Sequence, residues 1–362
     1  MLAQKDVARY LLDRGLLTPE AVLDGDLVIS DASSRNWDFR VETGKGPCYL
    51  LKQGASPEGV STVAHEAGVY RQLARGLDGL AALLPRFYCY DAAEGVLVLE
   101  LVRDAEDLRS LQLRKDCFPA GLAAVLGAAL GALHRDTRAA TSPPMPSAAP
   151  WVLTLHRPGA GLFRDVSAAG LEFIRVIQGA PGLAEALERI RDRWRPECLI
   201  HGDVKWENCL VELDENGGEK LRLIDWEGAA RGDPCWDIGS ALSPYLSCWL
   251  FSIPVTGRVP PERFPELAGY SLDAMKPALA ACWTAYVEAR GLCAESATDL
   301  LLRAVEFAGV RLVQTAFEAA QMMHQLTSSL VLHLQLALNI LQRPEEAAVQ
   351  LLGLPLARSR AR

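Results

Sequence analysis

The stretch CLIHGDVKWENCLV, residues 198–211, constrains this chain more than any other. Two short apolar runs enclose a His, an Asp, a Lys, a Glu and an Asn. A chain that brackets this much polarity with two strands is building a loop whose side chains must be held in place yet stay accessible. Asp203 and Asn208 stand five apart within it. A second apolar run, LRLIDWEG at 221–228, also leads to a carboxylate, Asp225. One Asp, one Asn and a second Asp can supply a base and two oxygen ligands for magnesium. Phosphoryl transfer asks for that set, because its catalysis is mainly positioning and charge neutralisation.

The rest of the sequence leaves room for such an enzyme and excludes several alternatives. The chain has 362 residues, half of them hydrophobic, enough for two domains or one enzyme of two lobes. Its net charge of −8 argues against nucleic acid as a partner and suits a cationic substrate. Its nine cysteines form no C-x-x-C and no zinc spacing, as expected of reduced thiols in a cytoplasmic protein. The N-terminal MLAQKDVARYLLDRG is charged and amphipathic, so it reads as neither a signal peptide nor a membrane span. The longest apolar run, LTSSLVLHLQLALNIL, is short of the ~20 residues a bilayer needs. It reads as a buried helix, and no membrane partner is expected.

Short strands alternate with turns through the first hundred residues. DLVISD (26–31), WDFRVET (37–43) and PCYLLKQG (47–54) are strand candidates, with TGKG (43–46) as a hairpin turn. A helix follows, capped by Ser56, opened by Pro57 and closed by Gly76. PRFYCYD (85–91) and GVLVLELV (95–102) add two more strands. Beyond Val102 the periodicity is helical, as in FPAGLAAVLGAALGALHRDT (118–137), except around 198–226. The expected division is 1–102 and 103–362.

HGDVKWEN resembles the catalytic loop H-x-D-x-x-x-x-N of kinase-fold enzymes. With Gly after the His, and IDWEGAARGDPCWDIGSAL downstream, the chain most resembles the aminoglycoside phosphotransferase and choline kinase superfamily. The resemblance implies an α+β, two-lobed protein-kinase-like fold. A small antiparallel sheet would form the N-lobe and bind the nucleotide, and a large helical C-lobe would hold the catalytic loop and the acceptor. It makes Asp203 the base or orienting group, with Lys205 two residues on. Asn208 and Asp225 would hold magnesium on the phosphates of ATP or GTP. His201 and Asp237 become structural, Asp237 bracing the catalytic loop.

In this fold a strand Lys pairs with the phosphates and with a Glu on the next helix. Lys52, on the third strand, and Glu66, on the following helix, have that order. The turn expected to cover the phosphates reads DASSRNWDF and lacks glycine. It resembles the Ser/Asn-rich turns of the family, with Ser33, Ser34 and Asn36 as phosphate donors. By the same resemblance the backbone of Glu100 and Val102 would bond the purine edge.

The expected activity is transfer of a γ-phosphoryl group to a hydroxyl of a small molecule, aminoglycoside-like or choline-like. Two alternatives stand beside it. One is a peptide Ser/Thr kinase of a lanthipeptide-type pathway, suggested by Lys205. The other is a pseudokinase or nucleotide-binding module. For the acceptor, the charged positions Arg303, Glu306, Arg311 and Glu318 interrupt an apolar helix, and Glu306 or Glu318 is expected to contact it.

Overall fold

A computed structural model describes residues 2–33, 37–76, 78–138, 145–213, 218–255 and 260–356. The chain divides into two compact units. The first comprises Met1–Leu111 together with Glu207–Ala229, and the second Gln112–Trp206 with Ala230–Arg362.

In the first unit, helices α1 (Val7–Asp13) and α2 (Pro19–Leu23) precede three strands, β1 (Val28–Asp31), β2 (Trp37–Glu42) and β3 (Tyr49–Gln53). Helices α3 (Pro57–Gly76) and α4 (Asp78–Ala81) lead to β4 (Phe87–Asp91) and β5 (Val96–Glu100). The five strands form one antiparallel sheet in the order β1-β2-β3-β5-β4. Alternation decides its faces. Phe39, Val41, Tyr49 and Leu51 turn to one side and pack with Val7, Tyr10 and Leu11 of α1. Each such aliphatic or aromatic side chain contributes about 1.5–3 kcal/mol by leaving water. Lys52, between two buried neighbours, must therefore point to the other side. Ser56 Oγ accepts from Gly59 N at 3.1 Å and starts α3 as the sequence predicts.

A second sheet of this unit joins β6 (Glu106–Asp107), β8 (Cys209–Leu213) and β9 (Glu219–Leu223) in the order β6-β8-β9. The strand expected over 221–228 stops at Leu223. Asp225 takes a left-handed conformation, φ 67°, and a short 3-10 turn, Trp226–Gly228, follows. Buried Trp226 donates Nε1–H to the Leu223 carbonyl at 3.1 Å and folds the chain back.

Helix α5 (Leu108–Lys115) spans the division between the units. The second unit is built on α6 (Ala120–Asp136), α7 (Ala168–Gly179), α8 (Leu183–Asp192), α9 (Pro234–Phe251), α10 (Leu272–Arg290), α11 (Ala294–Gln321) and α12 (Ser328–Gln342). Strands β7 (Cys198–Ile200) and β10 (Ala230–Gly232) pair antiparallel among them. α6 packs on α10, and α11 packs on α9 and α12. Glycine lets two of these helix pairs approach closely. A Cβ on Gly127 would meet the Cys282 carbonyl oxygen at 2.0 Å, and one on Gly239 the Ala304 carbonyl oxygen at 2.6 Å. The apolar run expected as a buried helix is α12. No helix among the described residues is long and apolar enough to cross a membrane. None of the nine cysteines is in a disulfide.

Candidate active site

In the first unit Lys52 gathers the charges. Its Nζ lies 3.0 Å from both carboxylate oxygens of Glu66 and 3.1 Å from Asp225 Oδ1. β3 presents Lys52 and α3 presents Glu66, which is buried. Burial alone would lower the Lys52 ammonium, but the carboxylates of Glu66 and Asp225 hold it well above its ordinary range. The Trp226 amide donates to Glu66 Oε1 at 3.3 Å, so the Asp225 turn and α3 are tied at the backbone as well. His65, beside Glu66, contacts the Ala229 carbonyl at 2.6 Å through Nε2 and closes the same turn.

Asn208 and Asp225 stand at one end of the β8–β9 hairpin. Asn208 precedes β8, Asp225 follows β9, and Ile224 N donates to the Asn208 carbonyl at 3.0 Å. A carboxylate and a buried amide offer hard oxygen donors. No three His, Cys, Asp or Glu among the described residues form a metal cage. This donor set fits magnesium, which takes few protein ligands and fills its shell with phosphate oxygens and water.

Asp38 is the residue that sequence reasoning missed here. It lies directly across from Lys52 in the β2–β3 register, so both side chains share a face. Its Oδ1 is buried without a hydrogen-bond partner. Burial pushes its carboxyl up to about 6, helped by Asp225 and Glu227 and opposed by Lys52. Counting outward from the TGKG turn puts residue 38 opposite 51, one residue off the register that the strands adopt, so no turn signal marked the pair.

Of the expected phosphate-covering turn, Ser34 and Asn36 lie outside the described residues. Ser33 Oγ accepts from Asp38 N at 3.1 Å, and its own amide donates to Asp31 Oδ1 at 2.8 Å. Glu100 ends β5, and its amide donates to the Arg86 carbonyl at 2.8 Å; Val102 lies two residues beyond.

The second unit carries Asp203. Arg311 Nη2 donates to Asp203 Oδ1 at 2.6 Å and Lys205 Nζ to Oδ2 at 2.6 Å. Burial would raise this carboxyl, but Arg311 and Lys205 hold it well below the usual carboxylate range. The loop backbone is braced from α9. Asp237 accepts from His201 N at 2.7 Å and from Gly202 N at 3.0 Å, while Trp236 Nε1 donates to the Gly202 carbonyl at 2.8 Å. His201 Nδ1 accepts from Asp203 N at 3.3 Å. His134 of α6 meets Asp237 Oδ2 at 3.1 Å, and burial lowers its imidazole, so the neutral ring donates.

On α11 the four charged positions have separate surroundings. Arg303 is ion-paired with Asp233, whose side chain also caps α9 through Cys235 N. Glu306 is buried against Arg193 at 3.1 Å and Arg189 at 4.0 Å. Arg311 holds Asp203. Glu318 is exposed and accepts from Gln314 Nε2 at 2.8 Å.

The sequence pattern of the phosphotransferase enzyme family matches residues 27–270, a span that includes Lys52, Glu66, Asp203, Asn208 and Asp225. The chain belongs to the phosphotransferase enzyme family. Solved structures bear out the kinase-like fold. A choline kinase from Cryptosporidium parvum Iowa II is 14% identical with a TM-score of 0.59, covering 96% of this chain and 98% of its own. An amicoumacin kinase in complex with AMP-PNP and Ca2+ is 13% identical with a TM-score of 0.52, covering 94% and 96%. A macrolide 2'-phosphotransferase type I is 15% identical with a TM-score of 0.50, covering 90% and 99%. No curated protein sequence matches significantly. Within the phosphotransferase fold the five-stranded antiparallel sheet belongs to the first unit, and the helices α6–α12 to the second.

Proposed function

We propose that this phosphotransferase moves the γ-phosphoryl group of ATP or GTP to a hydroxyl of a small molecule. The observation that carries the reading is Asp203 held between Arg311 and Lys205. A carboxylate so acidic is anionic at any working pH, yet too weak a base to strip a hydroxyl in the ground state. It serves to aim the acceptor oxygen and to take its proton late, as a loose, dissociative transition state requires. Lys52, positioned by Glu66, pairs with the nucleotide phosphates. Asn208 and Asp225 are the residues to hold magnesium, which neutralises phosphate charge when bound. Lys205 balances the Asp203 carboxylate as the phosphoryl group arrives.

The family and the neighbouring folds, a choline kinase and antibiotic-directed kinases among them, support a small alcohol as acceptor. A bare nucleotide-binding module has no use for a charge clamp on Asp203. The test is nucleotide turnover with magnesium and a panel containing choline, an aminoglycoside, a macrolide and a Ser/Thr peptide. Acceptor-dependent release of nucleoside diphosphate is expected, lost by about 10²–10⁴-fold in Asp203→Asn with nucleotide affinity kept. Turnover indifferent both to acceptor and to Asp203→Asn would overturn the reading. Phosphorylation of the peptide alone would replace the small molecule.

A further inference from the structure

Helix α10 begins at Leu272, beyond the residues that the family pattern covers, yet it reaches the catalytic loop through an unbroken chain of hydrogen bonds. Small residues prepare the approach. A Cβ on Gly131 of α6 would lie 2.7 Å from the Tyr286 carbonyl oxygen, and Gly127, one turn earlier, faces Cys282 in the same way. Gly127, Gly131 and His134 therefore share one face of α6, set against Cys282, Tyr286 and Arg290 on one face of α10. At the end of this contact the Tyr286 hydroxyl lies 3.1 Å from His134 Nδ1.

The chain has a direction. Burial keeps the His134 ring neutral, so it carries a single N–H. The two oxygens of Asp237 already accept from the amides of His201 and Gly202, and a carboxylate can only accept. The ring N–H is therefore on Nε2, 3.1 Å from Asp237 Oδ2. Nδ1 is left as a lone pair, and Tyr286 donates its O–H to it. The Tyr286 oxygen in turn accepts from Arg290 Nη1. Tyr286, His134 and Asp237 are all fully buried, so no water competes for these bonds.

Arg290 meets β7 at both of its ends. Directly, its Nη2 lies 3.5 Å from Glu197 Oε2, one residue before the strand. Through Tyr286, His134 and Asp237 it reaches the His201 and Gly202 amides, just after the strand. Gly202 has φ 83°, the left-handed conformation that favours glycine, and it turns the chain into Asp203. Whatever fixes this turn fixes where the catalytic carboxylate stands.

We infer that Tyr286 and Arg290 are positioning residues for phosphoryl transfer: they hold the His134 ring, and through it the Asp237 clamp on the Gly202 turn that aims Asp203. This rests on the phosphotransferase reading and extends its machinery to α10. Without the phenol, His134 Nδ1 is a buried acceptor with no donor, and the ring is held at one end only.

The test compares the full wild-type chain with Tyr286→Phe, Arg290→Lys and Arg290→Met by nitrogen-15 NMR, thermal melts and steady-state kinetics. In the wild type the His134 ring signals, assigned by their loss in His134→Gln, should show a donor at Nε2 and an acceptor at Nδ1. In Tyr286→Phe the His201 and Gly202 amide resonances should shift. Its kcat should fall about 3–10-fold, the effect of one neutral hydrogen bond, with both the nucleotide and acceptor KM unchanged. Arg290→Lys, which keeps a donor toward the phenol, should retain more of kcat than Arg290→Met. A Tyr286→Phe enzyme that melts lower but turns over at the wild-type kcat would overturn the inference, because the phenol would then serve stability alone. A His134 ring protonated on Nδ1, or His201 and Gly202 amides that do not move, would overturn it as well. Amides that move in a chain that transfers phosphoryl to no acceptor would uphold the hydrogen-bond chain and sink the proposed activity. Transfer by the wild type with kcat indifferent to Tyr286→Phe would do the reverse.

Discussion

Lys52 Nζ lies equidistant, at 3.0 Å, from the two carboxylate oxygens of Glu66, so the lysine is centred on its partner. Glu66 is buried and the Lys52 side chain is only 12% exposed, and Asp225 adds a third contact at 3.1 Å. Such a lysine is held in one rotamer before any nucleotide arrives. Lys52→Ala should lower kcat/KM by about 10²–10³-fold, the loss of one preorganised charge. Glu66→Gln should cost about 10-fold, because it acts through the lysine. The double variant should be no worse than Lys52→Ala alone. Effects that multiply in the cycle would mean that the two residues act separately.

Asp225 shares its carboxylate between Lys52 and the position assigned to magnesium. Asp225→Ala should therefore abolish the magnesium dependence of nucleotide binding as well as turnover. Calorimetric titration of nucleotide at several magnesium concentrations measures this. Affinity that still rises with magnesium in the variant would remove Asp225 from the metal site.

Asp38 gives the fold a pH signature. Its carboxyl is raised to about 6 by burial, above the ordinary value near 4 in an unfolded chain. Stability from protonated Asp38 is therefore full below about pH 4 and is lost as the pH rises through 6. Asp38→Asn keeps the neutral form at every pH. The variant should melt above the wild type at pH 7–8 by about 2–4 °C, the shift that ~1 kcal/mol produces in a mid-sized chain. The gap should close at pH 4. An offset of equal size at both ends of the range would assign the effect to packing instead.

Glu306 was one of two carboxylates expected on the acceptor side, and the structure surrounds it with Arg193 and Arg189. Glu306→Gln should cost at most about 1 kcal/mol in urea denaturation, because the Arg193 and Arg189 side chains facing it are 42% and 48% exposed and water solvates them in its place. The acceptor KM should not change. A raised acceptor KM with stability intact would return Glu306 to the acceptor.

Local pattern made much of this fold legible. The five strands of the first sheet announce themselves by alternation and turn residues, and Pro57 and Gly76 mark both ends of α3. Lys52, Glu66 and Asp225 could be named because each sits in a motif of fixed order. What stayed hidden depends on pairing across long separations. Arg311 reaches Asp203 over 108 residues, and His134 reaches Asp237 over 103. In the sequence Arg311 is one more charge on an apolar helix, like Arg303, which turns out to serve the α9 cap. Asp38 needed a strand register, and the β9 boundary needed the left-handed turn at Asp225. The covering turn had no glycine to anchor a reading, and Ser34 and Asn36 lie outside the described residues.

The first unit is assembled from two separated pieces of chain, Met1–Leu111 and Glu207–Ala229. During translation its early strands leave the ribosome long before the segment that completes it. Lys52 and Glu66 must wait for Asp225, and β6 must wait for β8. Until residue 229 has emerged, β6 lacks its partner strand and the Lys52–Glu66 pair lacks its third contact, Asp225. Domains that fold as units from the N-terminus escape this interval, but this chain cannot. The gene should accordingly tolerate splitting poorly near residue 111, and a fragment ending there should need chaperone holding or aggregate.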